Sequence, residues 1–511
     1  MKRLSLIILA AICFLSDACQ SSVNGVTEFS FRNPILPGFH PDPSICRVGE
    51  DYYIVNSTFQ YFPGVPVYHS RDLFHWELIG NVLDRETQLP LEKTTADKGI
   101  YATTIRYNEG VFYMITTNVT LGRNFYVTAT DPAGPWSEPI WLEQGGIDPS
   151  FYFEDGKCYY VSNPDATITL CEIDPATGEQ LTESRPIWKG MGGRFPEGPH
   201  IYKVKGWYYL LISEGGTELA HSLTVARSRS PYGPYEACPN NPILTHCRHE
   251  TETDQIQGTG HGDFVQAPDG SWWVVFLAYR NFGGNYHHLG RETFLAPVRW
   301  EKGWPVVNDG KPITQEMGGG APRRTSEYTE SFDRPLGPDW LYIQNPDSSR
   351  YDSGNGRLIL QGSGSLSGND HPTFVACRQE SEVASVETEV LLLTDGEAGL
   401  TVYQTHEAHV ELAVRRSGNK AEAVVRNKVL SIDYTAATLP LSHPTAHLKI
   451  TSDGLHYHFL VSEDGQDWKP MGQFRCALLS TEVAGGFTGV TMGLYAEGAK
   501  AAFTYYSKKE K

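Results

Sequence analysis

The stretch Gly49–Ile79, GEDYYIVNSTFQYFPGVPVYHSRDLFHWELI, decides the fold. It opens on an acidic and glycine turn, runs into an aromatic and β-branched segment too short for a helix, and after a gap adds a second strand with a short aromatic-containing turn. The same order recurs in NEGVFYMITTNV with FYVTATDPAGPWSEPIWL, in EDGKCYYVSN with TITLCEIDPATGEQL, and in VKGWYYLLISEGG with SLTVARSRSPYGPYEA. PDGSWWVVFLAYR opens a fifth copy whose partner strand is less clear. A repeat of roughly 40 to 50 residues is the length of one four-stranded propeller blade. Five copies between residues 33 and 320 therefore predict a five-bladed β-propeller, with a chance-similar β-sandwich as the alternative.

Around residues 305–326 the composition changes to the Gly-, Pro- and Arg-rich linker GGGAPRRTSEY. Beyond it, GRLILQG, TEVLLL, LTVYQT, HVELAVRR and YHFLVSEDG alternate like strands with one solvated face. Residues 326–511 are thus expected to form a jelly-roll or lectin-like β-sandwich, making the whole chain all-β. That unit could bind sugar, shape a site's rim, or complete the fold.

The 511 residues exceed what one core usually fills. Aromatic residues make up 12%, including 27 Tyr and 11 Trp, which suits both short strands and stacking on sugar faces. A formal net charge of −18 argues against nucleic acid or an anionic membrane surface as partner and leaves a neutral glycan open. Lys2 and Arg3 followed by the apolar run Leu4–Leu15 read as a signal peptide over residues 1–18, so the protein is expected to be exported. Ser-Asp-Ala-Cys resembles a lipoprotein cleavage box, although Ser16 stands where Leu is usual. A periplasmic protein and one lipid-anchored at Cys19 to the bacterial outer membrane are both open. No CxxC pair supports a zinc or redox site; Cys238 and Cys247 are the one close pair that could form a disulfide.

Three acids occupy equivalent early positions of different blades: Asp42 in HPDPS, Asp148 in GGIDPSFYF and Glu197 in FPEGPHIY. Each alone is ordinary turn chemistry. Prolines 41 and 43 restrict the backbone around Asp42 and bias it toward extended conformations. Together the three form a constellation, because a propeller's inner strands converge on one channel. Glycoside hydrolysis needs one protonated carboxyl and one carboxylate. Glu197 suits the general acid, its pKa raised by the charge of Asp148, and Asp42 suits activation of a water. A separation of roughly 6.5–9.5 Å would mean inversion, a shorter one retention.

NPILPGFHPDPSI, STFQYFPGVPVYHSRDLFHW, GGIDPSFYF, PEGPHIY, the SEGG stretch, GTGHGDF and LGRET together resemble glycoside hydrolase family 43, the five-bladed propeller β-xylosidases and α-L-arabinofuranosidases. The resemblance implies inverting hydrolysis with Asp42 as general base, Asp148 as pKa modulator and orienter, and Glu197 as general acid. It implies that Arg291 bonds sugar hydroxyls, that Phe59 walls the pocket, and that His261 sits near the channel centre. In some relatives that histidine contacts a calcium ion or its water; no cofactor is otherwise required. GIYATTIRY departs from the Trp-Ala-Pro-Asp of many relatives, placing Tyr101 for the Trp and changing a wall near the glycone.

The leading expectation is an exo-acting α-L-arabinofuranosidase acting on arabinose- or xylose-containing glycans. A β-D-xylosidase or dual-activity pentosidase is the close alternative. A non-catalytic glycan-binding protein would be expected to have lost one of the three acids. Fructoside-cleaving propellers carry Asn-Asp-Pro-Asn and Arg-Asp-Pro elements absent here.

Overall fold

A computed structural model describes residues 29–247, 255–319, 321–323 and 325–511. The leader and Cys19 lie outside the described residues. Five antiparallel sheets succeed one another over residues 44–83, 100–141, 150–188, 197–245 and 256–307, each of four strands in chain order, with Tyr61–Phe62 pairing outside the first and Leu244–Thr245 adding a fifth strand to the fourth. The first strands are Ser44–Val48, Ile100–Asn108, Ser150–Glu154, Glu197–Val204 and Ile256–Gln266, and they contact one another around the axis. The sheets are blades I to V of an all-β propeller.

The repeat visible in the sequence is the second and third strands of each blade. DYYIV, VFYMI, CYYV, WYYLLI and WWVVF are all second strands, sandwiched between neighbouring sheets and hence continuously apolar. First strands such as IQGTGHGDFVQ are rich in glycine and polar residues because one face lines the channel. The third strand of blade V, which the sequence left unclear, is Glu292–Glu301, followed by Trp304–Val307.

No blade is shared between the two ends of the propeller. Instead Ser30–Arg32 pairs with Glu316–Gly318, and the Asn33 side chain exchanges two hydrogen bonds of 2.9 Å with the backbone of Leu295 in blade V.

The axis is tied by one carboxylate. Asp263, fully buried on the first strand of blade V, accepts from Ser44 Oγ (2.6 Å) and Ile45 N (3.0 Å) of blade I. It also accepts from both terminal nitrogens of Arg106 on blade II (2.7 and 3.1 Å) and from the Tyr202 hydroxyl on blade IV (2.5 Å). Burial opposes its charge, but Arg106, His200 and the hydrogen bonds from Arg106 and Ser44 together outweigh burial and hold the carboxyl down to about 2. Breaking such a pair from one side strands a buried charge, at a cost of about 3–5 kcal/mol.

After the linker the chain forms a two-sheet sandwich. One sheet has six strands in the spatial order Thr373–Arg378, Thr491–Glu497, Gly396–Thr405, Ala408–Ser417, Lys420–Val429 and Ile432–Leu441. The other has eight strands and is built around Val383–Leu392 and Lys500–Glu510. Val386, Leu400, Leu412, Ile450, Phe459 and Phe503 fill the space between them. The outer face of the six-stranded sheet does not meet water throughout. Its Tyr403, Ala413, Val424 and Tyr495 pack against Phe39, Phe59 and Tyr61 of the propeller. Tyr342–Ile343 extends the contact by pairing with Tyr61–Phe62. Burying a side chain of this size contributes roughly 1.5–3 kcal/mol, so this junction is a core and not a surface contact. Cys238 and Cys247 are both free thiols, and no disulfide joins them.

Candidate active site

At one end of the channel lies a pocket of about 400 Å³, open mouth included, lined by Asp42, Phe59, Tyr101, Ala102, Ile147, Asp148, Glu197, Thr217, His261, Arg291 and Phe487. Every site residue expected from the sequence is among them. Asp42 and Asp148 stand two residues before the first strands of blades I and III, and Glu197 is the first residue of that strand in blade IV.

The backbone at the two aspartates differs from the extended form expected beside proline. Asp42 and Asp148 have φ of +51° and +50°, the left-handed region, each with a proline following. A non-glycine residue there is uncommon, and a following proline disfavours helical conformations further, so the surroundings must hold it. At Asp42 the clamp is Asn56, whose amide donates to the carbonyls of His40 (3.1 Å) and Pro41 (2.9 Å), helped by the Thr293 hydroxyl on His40 O (2.7 Å). At Asp148 it is Asn163, which accepts from Ile147 N (2.8 Å) and donates to Pro196 O (2.9 Å). That second bond couples the Asp148 turn to the loop carrying Glu197.

The three carboxyls are not in the same state. Burial pushes Asp42 up, but the Arg291 guanidinium, 3.0 Å from its Oδ1, outweighs it together with His261 and the Ser57 hydroxyl. The net result lies below the ordinary aspartate value. Burial pushes Asp148 up to about 6, with the Asp42 charge adding and His261 opposing. Glu197 is raised well above the usual carboxylate range by burial first, then by the charges of Asp148 and Asp42. The pocket therefore biases Asp42 toward its ionised form and Glu197 toward its protonated form, the division that an acid and base pair needs.

Arg291 is more engaged than a pure sugar ligand would be. Besides Asp42, its Nη1 donates to Thr217 Oγ1 (3.2 Å) and its Nη2 to Phe487 O (3.4 Å), leaving Nε buried without a partner. The guanidinium lies 5.4 and 5.5 Å from the ring centres of Phe59 and Phe487. Those two rings stack at 5.9 Å, and Tyr101 closes the group at 5.2 Å from Phe59, giving the pocket an aromatic wall. Tyr101 donates its hydroxyl to Asp97 O (3.0 Å). His261, at φ +45°, is pinned by its N–H to Ser213 Oγ (2.5 Å) and turns Nδ1 toward Asp42 at 4.0 Å.

Four contributors escaped the sequence reading: Ser57, Thr217, His221 and Phe487. His221 is buried, with Nδ1 3.0 Å from the Gly258 carbonyl. A carbonyl only accepts, so Nδ1 carries the proton and Nε2 presents a lone pair, 3.8 Å from Glu197 Oε1. The two are too far apart to hydrogen-bond, and the neutral imidazole sets no positive charge beside Glu197. Phe487 comes from the sandwich. Its loop reaches the propeller because Gly290 and Gly489 meet backbone to backbone: a Cβ on Gly489 would fall 2.0 Å from Leu289 O, and one on Gly290 2.6 Å from Gly489 Cα. Ser57 opens the stretch STFQYFPG and Thr217 directly follows SEGG, but no pattern in either singles them out, and no motif lies near Phe487.

Asp148, Glu197 and His261 bring potential ligand atoms within 4.8 Å of one another. They do not fit calcium, which takes six to eight oxygens. The set offers two carboxyl groups and one imidazole. Deeper along the axis, the Arg106 guanidinium, 2.8 Å from His200 Nδ1, already supplies positive charge. The chemistry below uses no metal.

Residues 31–305 match the family described as Glycosyl hydrolases family 43, and residues 329–507 match the Beta xylosidase C-terminal Concanavalin A-like domain. The chain is 41% identical over 500 residues to the Non-reducing end alpha-L-arabinofuranosidase BoGH43B of Bacteroides ovatus, covering 94% of this chain and 93% of that one. It is 40% identical over 496 residues to a Xylosidase/arabinosidase of Butyrivibrio fibrisolvens, covering 91% and 95%. A solved structure titled Bacteroides ovatus Xyloglucan PUL GH43B superposes with a TM-score of 0.89 at 39% identity, over 94% of this chain and 99% of that one.

Gly489→Val should displace the Phe487 loop and lower kcat/KM for the pocket's substrate at least tenfold while the chain stays folded by circular dichroism; an unchanged kcat/KM would contradict the docking role. Asp148→Asn removes a negative charge that lifts Glu197. With Asp42 as base and Glu197 as acid, activity should fall as pH drops through the depressed value of Asp42 and as pH rises through the elevated one of Glu197. The alkaline limb of a kcat/KM profile should therefore move to lower pH in Asp148→Asn, the acidic limb far less.

Proposed function

The chain belongs to glycosyl hydrolases family 43, and on that premise we propose that it is an exo-acting, inverting glycoside hydrolase removing non-reducing-end α-L-arabinofuranosyl residues from plant cell-wall polysaccharides or oligosaccharides. The observation that carries this reading is Asp42 and Glu197 lining one small pocket, with Arg291 bonded to Asp42 and not to Glu197 and their acidities shifted in opposite directions. Asp42 takes a proton from a water as its oxygen attacks the anomeric carbon. Glu197 gives its proton to the departing glycosidic oxygen. Asp148 keeps that proton on Glu197 until the bond breaks. Arg291 holds Asp42 ionised, and its unpartnered Nε is left for a sugar hydroxyl.

Exo action is supported by the wall of Phe59, Tyr101 and Phe487, which stops the pocket behind a single terminal residue. The sugar is supported by the name of the Bacteroides ovatus relative. The name of the Butyrivibrio fibrisolvens relative favours a second reading, β-D-xylosidase or both activities. Export belongs to the same reading, supported by Lys2, Arg3 and the apolar Leu4–Leu15.

Initial rates on 4-nitrophenyl α-L-arabinofuranoside and β-D-xylopyranoside should favour the first at least tenfold in kcat/KM, with β-L-arabinofuranose as the first product seen by proton NMR. Equal or reversed rates select the second reading, and the α-anomer appearing first refutes inversion. Glu197→Ala should lose natural glycosides at least a thousandfold but retain much more on the aryl substrate, whose phenol needs little protonation; parallel losses would remove Glu197 from the acid's role.

A further inference from the structure

We propose that Phe195 and Arg194 form the leaving-group subsite, taking a sugar ring of the saccharide from which the terminal pentose is cut. The inference rests on Glu197 being the acid. A general acid protonates the leaving oxygen, so the leaving saccharide lies on the Glu197 side of the pocket.

Phe195 stands on that side, two residues before Glu197. Its ring lies against Gly216, where an added Cβ would approach it to 3.2 Å, and Gly216 adjoins the pocket-lining Thr217. The ring is 58% exposed although the backbone at Phe195 is held in the left-handed region, at φ +50°. A fold that needed this phenylalanine for its core would bury it; here an uncommon conformation turns it to water beside the acid. Met191, in the same loop, and Leu219, three residues past Gly216, are likewise exposed, at 53% and 38%. These two loops thus carry three of the six exposed large hydrophobic side chains among the described propeller residues.

The two loops are stiff. The buried carboxylate of Glu214 accepts from Met191 N (2.9 Å), Gly193 N (2.9 Å) and Thr224 Oγ1 (2.7 Å), and Gly215 N donates to Arg194 O (2.7 Å). A platform fixed in advance loses little entropy when a ring settles on it. The Arg194 guanidinium lies 5.3 Å from the Phe195 ring centre and is steadied by Glu218 at 2.9 Å, so an apolar ring and a fork of N–H donors stand side by side. A pyranose presents the matching pair, an apolar face and a rim of hydroxyls.

The test compares an arabinofuranosylated xylo-oligosaccharide with α-L-arabinofuranosyl fluoride, whose leaving group is one atom and reaches no subsite. In Phe195→Ala the ratio of kcat/KM for the oligosaccharide to that for the fluoride should fall at least tenfold, and Phe195→Trp should restore it. Arg194→Ala should lower the same ratio about threefold or more. An unchanged ratio in Phe195→Ala, whether or not both rates fall, overturns the subsite. Failure of the arabinofuranosidase reading shows separately, as a wild-type enzyme inactive on both substrates, and takes the subsite with it.

Discussion

Five first strands that converge on an axis leave a hollow too narrow for a sixth element, and Asp263 fills it. With no exposure to water, it gathers donors from blades I, II and IV and is neutralised by Arg106. A charge so placed is tolerated only with every oxygen satisfied, which makes the relative positions of the blades a single solution rather than a range. His200 continues the stack from Arg106 toward His261, and His261 faces Asp42. The acids at the mouth inherit their spacing from this buried pair.

The chemistry depends on where one cation sits. Asp42, Asp148 and Glu197 are all removed from bulk water, and burial alone would protonate all three. Arg291 is bonded to Asp42 and not to Glu197. Two unit charges about 4 Å apart are worth about 1 kcal/mol in water and about 4 kcal/mol at the effective dielectric of a protein site, so this choice of partner outweighs small differences in exposure. His221, neutral because burial holds it down to about 3, sets no competing charge beside Glu197. Two carboxyls of similar intrinsic acidity are thereby driven apart.

What the sequence could reveal follows from which contacts are local. Second strands such as DYYIV and WWVVF are apolar on both faces and announce themselves. IQGTGHGDFVQ does not, because a channel-lining strand carries glycines where His221 and Tyr279 press on its backbone. Asp42 and Asp148 were legible as a repeated Asp-Pro-Ser; their left-handed backbones were not, since Asn56 and Asn163 impose them from elsewhere in the chain. The free thiols of Cys238 and Cys247 teach the same lesson, as closeness in sequence says nothing about side-chain direction. The calcium expected near His261 came from the resemblance alone. Arg106, whose role no motif announces, changes what that part of the channel can hold.

The sandwich enters the site through a contact that has no side chain. Gly290 and Gly489 press backbone against backbone, and the residues beside them are Arg291 and, two positions away, Phe487. The Phe487 carbonyl accepts from Arg291 while its ring stacks on Phe59, so one loop of the second unit both walls the sugar and steadies the guanidinium that keeps Asp42 ionised. Of the three roles open to the sandwich, shaping the rim is the one for which this geometry gives a physical cause. The propeller alone thus holds all three acids but lacks one wall of the pocket and one of the bonds that fix Arg291.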